Sequence, residues 1–164
     1  MTDRPQGEDP GDWIGGLYDR VAAGLYRYAL MILGDPAAAA DAVHQVFVAV
    51  LRARDREIEA GERYLRRAVR NECYNMLRHR KRHPAEAIVL EDLVADGERP
   101  DERIALQQAI SSLPPEQREV VHLKIFEGMT FQEIADVVDE SPNTIASRYR
   151  YAIEKLRSIL GARR

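Results

Sequence analysis

The chain has 164 residues, with 24 Lys and Arg against 27 Asp and Glu and a formal net charge of −3. An apolar share of 45% excludes a wholly disordered chain, and the length allows one domain or two small ones. The lone Cys73 excludes an internal disulfide, and the apolar run Val46–Leu51 is far too short to cross a bilayer.

The start, Met1–Gly11, is acidic and rich in Gly and Pro. It lacks the apolar stretch of a secretory signal and reads as disordered, so a reducing cytoplasm is the expected setting. A first helix is expected over Asp12–Leu33. Its inward face holds Ile14, Leu17, Val21, Leu25, Tyr28 and Ile32, spaced three or four apart. Gly34-Asp35-Pro36 ends it and starts the next, with Asp35 as N-cap and Pro36 at the first helical position. The second helix runs to about Arg54 and presents Val43, Val46, Phe47, Val50 and Leu51. A third, Gly61 to Lys81, carries Leu65, Ala68, Val69, Cys73 and Leu77 as its core stripe. Three such helices close a small bundle.

Pro84–Pro100 is acidic and has no sustained period. It reads as a linker with at most a fragment of helix at Ile88–Leu93. Helices follow over Asp101–Ser111, Pro115–Glu127, Phe131–Val138 and Pro142–Leu160, with Gly128 placed to end the second of these. No strand pattern or internal repeat is visible. The expected fold is all-α, in two small helical domains: 12–83 and 101–164, joined by the acidic linker 84–100 and preceded by a disordered 1–11.

Charge is unevenly placed. Arg63 to Arg82 holds eight Lys and Arg against the single acid Glu72, and His83 to Ile104 holds seven acids against two basic residues. From Ser141 onward six Lys and Arg face only Glu154. Such patches tell more about partners than the total does.

The segment Ser111–Leu160 is the most informative. Thr130-Phe-Gln-Glu133 fits a capping box, in which the hydroxyl caps Glu133 N–H and the glutamate reaches back. Ile134, Ala135, Val137 and Val138 form one apolar face. Asp139-Glu140 breaks the helix, and Ser141-Pro142 restarts it with Ser141 as N-cap. Two helices joined by so short a turn form a helix-turn-helix, whose second helix can lie in the DNA major groove. Ala135 is small where the helices must approach, and Ile145 and Tyr149 pack inward at i,i+4. Asn143, Thr144, Ser147, Arg148 and Tyr151 remain near the outward face, with side chains suited to base edges and phosphates.

The third helix has a different chemistry. It mixes Arg63, Arg66, Arg67, Arg70, Arg78, Arg80, Lys81 and Arg82 with Tyr64, Tyr74, Asn71 and Asn75. Cations hold phosphates, exposed aromatics stack on unpaired bases and asparagines read base edges. The combination suits single-stranded or melting DNA better than a closed duplex. Cys73 reads as a small packed residue, and with His79 and His83 it makes only a weak metal pattern. No metal or cofactor is expected.

Four stretches carry a family resemblance. They are Leu25-Tyr-Arg-Tyr-Ala-Leu30 with Gly34-Asp35-Pro36; Ala40-Asp-Ala-Val-His-Gln-Val-Phe47; Tyr64-Leu-Arg-Arg-Ala-Val-Arg-Asn71; and Leu113-Pro-Pro-Glu-Gln-Arg-Glu-Val-Val121 with Phe126-Glu-Gly128, Ile134-Ala135 and Thr144-Ile-Ala-Ser-Arg148. In this order they resemble the extracytoplasmic-function sigma factors of bacterial RNA polymerase, the group with only the second and fourth conserved regions. The resemblance implies a factor that directs core polymerase to promoters and aids melting, without catalysis of its own. Asp41, His44, Gln45 and Phe47 would bind the polymerase clamp coiled coil, and the fourth region the flap. Tyr64, Arg67, Arg70, Asn71, Tyr74, Asn75 and Arg78 would capture the melted minus-ten element. Pro142, Asn143, Thr144, Ser147, Arg148, Arg150 and Tyr151 would read the minus-thirty-five duplex. The linker would thread toward the polymerase RNA path, and an anti-sigma protein would regulate the chain.

This sequence departs from the family at four places. His44-Gln45 stands for a common Gln-Glu, Asn75 for an Asp, Asp139 for the turn glycine and Ala146 for a lysine. Aspartate tolerates left-handed φ, so the turn is expected to survive. Two other readings compete. A stand-alone helix-turn-helix regulator would dimerise on paired half-sites. An enzyme acting on nucleic acid would need convergent carboxylates or a nucleophile, which Asp41, Glu57, Glu59 and Glu62 do not supply.

Overall fold

The computed structural model describes residues 10–53, 61–80 and 99–162. Among them are seven α-helices, one π-helical turn and no strand. The acidic linker's body, with the helix fragment expected at Ile88–Leu93, lies outside the described residues, as do Arg54 and Lys81.

Helix α1 spans Pro10–Leu33. Pro10 suits the first turn, where a missing N–H costs nothing, so the helix begins two residues inside the segment expected to be disordered. Gly34, at φ 66°, ends α1 in the left-handed region and returns its N–H to Leu30 O at 2.8 Å. The Asp35 carboxylate caps α2 (Pro36–Arg52) by accepting Ala38 N–H at 3.1 Å. Helix α3 spans Glu62–His79. Both α2 and α3 end about a turn's fraction earlier than the apolar spacing implies, as helix ends fray.

The C-terminal half holds α4 (Pro100–Ser111), α5 (Pro115–Val121), α6 (Phe131–Val138) and α7 (Pro142–Gly161). The single helix expected over Pro115–Glu127 is instead α5 followed by a π turn at His122–Phe126, where Glu127 N–H reaches His122 O at 3.2 Å. Gly128 stops it at φ 67°. One extra residue per turn cannot be read from a 3.6-residue period.

One continuous apolar core runs through both halves. Leu25, Val43, Phe47, Leu65, Val69 and Cys73 are buried between α1, α2 and α3. Ile110, Leu123, Ile134, Ile145, Ala152 and Leu156 are buried among the later helices. Each fully buried Leu or Ile contributes roughly 1.5–3 kcal/mol of transfer free energy.

The halves also pack against each other. Every residue from Tyr28 to Gly34 is buried. A helical turn hydrophobic on all sides must be covered on all sides, and α5 supplies the second cover. Arg118 crosses this junction with only 4% of its surface exposed. Its Nε donates to Met31 O and its Nη2 to Ile32 O, both at 2.7 Å. Its Nη1 donates to Ser111 O at 3.2 Å and Leu113 O at 3.0 Å. Carbonyls in the last turn of a helix lack intrahelical partners, and Arg118 satisfies two of them on α1.

Candidate nucleic-acid interface

The turn between α6 and α7 is built by its caps. Glu133 N–H donates to Thr130 Oγ1 at 3.2 Å while Thr130 N–H donates to Glu133 Oε2 at 2.7 Å. Asp139 takes φ 58°, the one non-glycine residue at positive φ among the described residues. Its N–H and that of Glu140 both turn back to Ala135 O. Ala135 is buried, and a larger side chain there would hold the two helices apart. Ser141 Oγ accepts Thr144 N–H at 3.1 Å and starts α7. Ile145 is buried, and Tyr149 leans on Phe131 with ring centroids 5.6 Å apart.

That orientation turns Pro142, Asn143, Arg150 and Tyr151 outward, with Thr144, Ser147 and Arg148 partly exposed beside them. Arg150 lies over the Tyr151 ring at 5.1 Å. Arg148 Nη2 donates to Glu140 Oε1 at 2.9 Å, so this guanidinium is held at the rim of the turn by an acid.

Helix α3 has three faces, set by its 3.6-residue period. Leu65, Val69 and Cys73 point into the N-terminal core. Tyr64, Arg67, Asn71 and Arg78 are exposed along a second stripe, with Asn75 partly exposed at its edge. Tyr64 keeps 46% of its surface in solvent, as a stacking platform requires. Arg63, Arg66, Arg70 and Tyr74 form a third stripe that faces the C-terminal half.

The centre of that third face is Glu119 of α5, which is 0% exposed. Its carboxylate accepts from Tyr28 Oη at 2.5 Å, Arg70 Nε at 2.7 Å and Tyr74 Oη at 2.7 Å. Burial pushes the Tyr28 and Tyr74 hydroxyls well above their usual range, and the Glu119 charge pushes them further, so both remain donors. Burial pulls the Arg70 guanidinium down, but the Glu119 charge and hydrogen bond, together with Tyr28 and Tyr74, more than offset it. Two of the seven residues expected at the minus-ten strand, Arg70 and Tyr74, are thus engaged within the chain.

On α2 the structure separates the four expected polymerase contacts. Asp41, His44 and Gln45 are exposed, and Gln45 Nε2 donates to Asp41 Oδ2 at 2.9 Å. Phe47 is only 4% exposed and meets Tyr18 edge-on at 4.9 Å. It packs α2 against α1 and offers no surface to a partner. Among the described residues no group of His, Cys, Asp and Glu could hold a metal, and Cys73 is buried with its thiol pushed up to about 12.

The sigma-70 region 2 family matches residues 17–83, and the sigma-70 region 4 family matches residues 103–156. The chain is 30% identical over 153 residues to the RNA polymerase sigma factor CarQ of Myxococcus xanthus, covering 88% of this chain and 87% of CarQ. It is also 30% identical over 156 residues to the ECF RNA polymerase sigma factor SigL of Mycobacterium tuberculosis, covering 88% and 86%. The chain belongs to the extracytoplasmic-function sigma factors. Its fold is shared with the sigma factor RpoE of Bartonella quintana, solved in complex with the anti-sigma factor NepR, at a TM-score of 0.73 and 20% identity over 93% of this chain and 99% of that one. A sigma factor directs transcription to promoters, and the reading as a stand-alone dimeric regulator is not favoured.

Sequence reasoning missed Tyr28, Arg118 and Glu119 as parts of this sigma factor's interior polar cluster. One signal was available. The unbroken apolar stretch Tyr28–Leu33 has no polar side to give to water, so it demanded a second cover.

Proposed function

We propose that residues 12–83 act as the region 2 unit and residues 101–164 as the region 4 unit of a promoter-directing sigma factor, joined by the acidic segment 84–100. Asp41, His44 and Gln45 hold the polymerase clamp coiled coil, with Phe47 behind them as support, and the C-terminal unit meets the flap. Tyr64, Arg67, Asn71, Asn75 and Arg78 meet the unpaired minus-ten strand first, and Arg70 and Tyr74 join them. Pro142, Asn143, Thr144, Ser147, Arg148, Arg150 and Tyr151 read the minus-thirty-five duplex. The factor acts in the cytoplasm, needs no cofactor, catalyses nothing itself and is held in check by an anti-sigma protein. Among the described residues no helix is long and apolar enough to cross a membrane.

The observation that carries this reading is the presence of two unlike donor-bearing faces in one sigma-family chain. The capped α7 presents short polar and guanidinium side chains of the kind that reads a major groove. The open stripe of α3 alternates cations with an exposed tyrosine and asparagine, which suits an unstacked strand. Binding free energy for the melted state then drives opening. The test is to mix the full chain with core polymerase and assay run-off transcription from genomic fragments. Starts at discrete sites that vanish without the chain support the reading. Core that fails to bind it, or binds it without new starts, ends it.

A further inference from the structure

Glu140, in the turn of the helix-turn-helix, holds the guanidinium of an arginine further along α7. Arg148 Nη2 donates to Glu140 Oε1 at 2.9 Å, eight residues away in sequence. The backbone arranges the meeting. Asp139 at φ 58° folds the chain back, Glu140 N–H turns to Ala135 O at 3.1 Å, and Ser141 caps α7 directly after it. Glu140 therefore stands beside the first turn of α7. Side chains on a helix lean toward its N-terminus, so a long arginine about two turns along reaches back to that point.

The pair does little for stability. Arg148 and Glu140 keep 24% and 40% of their side chains in solvent, and an ion pair so exposed is worth little in water. What it fixes is a direction. An untethered arginine on a DNA-facing helix has many rotamers and takes whichever phosphate is near, a contact that carries no sequence information. A guanidinium tied through one N–H keeps others for the two acceptors on a guanine edge. The carboxylate also repels the phosphates around the pair.

Resting on the reading of α7 as the helix in the minus-thirty-five groove, we propose that Glu140 determines specificity. It holds Arg148 away from the DNA backbone and aims it at a base edge. In this role Glu140 touches no base and is a positioning residue that acts through Arg148. It lowers affinity for duplex in general and raises the preference for one sequence. These two effects have opposite signs, whereas loss of a merely structural contact would weaken binding to every duplex.

The test uses the full chain assembled with core polymerase. The wild type selects from duplexes with a randomised upstream element. Dissociation constants are then measured over a range of salt for the selected duplex, its single-base variants and a mixed-sequence duplex. Glu140→Gln keeps the shape and removes the charge. The expected result is a loss of about tenfold in preference at one base pair, with tighter binding to the mixed-sequence duplex. The log–log salt dependence should steepen by about one, as for one added phosphate contact. In an Arg148→Ala background the same change should cost no further preference. Unchanged preference in Glu140→Gln, equal weakening on all duplexes, or a further loss in the Arg148→Ala background overturns the role of Glu140. In those cases α7 still stands as the reading helix if Arg148→Ala itself lowers the preference. Unchanged preference in Arg148→Ala, or no sequence enriched by the wild type, overturns the reading of α7 at this residue and the role of Glu140 with it.

Discussion

Tyr28 Oη donates to Glu119 Oε1 at 2.5 Å across 91 residues of sequence, and both side chains are buried. The bond joins the last turns of α1 to α5 at the point where the two halves meet. Tyr28→Phe keeps the ring and removes the donor, leaving Arg70 and Tyr74 to satisfy the carboxylate. A hydrogen bond to a charged group is worth about 1.5–3 kcal/mol, and two remaining donors place the loss near the lower figure. A urea midpoint equal to the wild type's would show that the bond contributes nothing net.

Asp139 sits at φ 58° in the helix-turn-helix. Left-handed backbone costs most L-residues about 1–2 kcal/mol, less for Asp and nothing for Gly. Asp139→Gly should leave the melting temperature unchanged or raise it. Asp139→Val should lower stability by about 1–2 kcal/mol, since a β-branched residue fits that region worst. Equal melting of the two variants would mean that the turn relaxes.

Acid should loosen the junction through Glu127. Its carboxyl is held below the usual 4.5, first by the hydrogen bond from His122 and then by the Arg66 charge, against the opposing effect of burial. A folded-state pKa below the unfolded one favours folding whenever the group is ionised. That contribution is complete above 4.5 and is lost as pH falls through the lower folded value. Asp35 behaves alike below 3.8, held down first by the Arg80 hydrogen bond and then by Ala38 N–H. Urea midpoints measured from neutral to acid pH should fall less steeply in Glu127→Gln than in wild type. Superimposable acid limbs would remove Glu127 from the account.

Cys73 is buried, and burial with the nearby Glu119 and Glu72 charges pushes its thiol up to about 12. The thiolate is the reactive form, so Ellman's reagent at mildly alkaline pH should leave the native chain untouched and label it fully in denaturant. Fast labelling of the native protein would place Cys73 near solvent and contradict the packing of α3.

The two proposed DNA faces should separate by mutation. Arg148→Ala should weaken polymerase binding at the upstream duplex by about 1–3 kcal/mol on its preferred sequence. Equal loss on all sequences would reduce Arg148 to a phosphate contact. Tyr64→Ala and Asn71→Ala should spare the closed complex and lower permanganate reactivity of the melted strand. Unchanged reactivity would remove base capture from that stripe.

The sequence alone determined whatever depends on neighbours along the chain. Caps at Asp35, Thr130 and Ser141, the stops at Gly34 and Gly128, and the apolar stripes of α2, α3 and α6 are local chemistry, legible within a few residues. So was the donor set of α7, because the caps fix its phase and the phase fixes its outward face. Tertiary structure decided the rest. Only packing showed that Phe47, read both as core and as a partner contact, is core alone, that the chain after α5 takes a π turn, and that α3 has a covered stripe beside an open one. Nothing near Glu119 in sequence marks it as the partner of Tyr28, Arg70 and Tyr74, because a carboxylate in a charged helix looks solvated until a second domain closes over it. The period of a helix tells which residues share a face, but what that face meets depends on contacts between segments far apart in the chain.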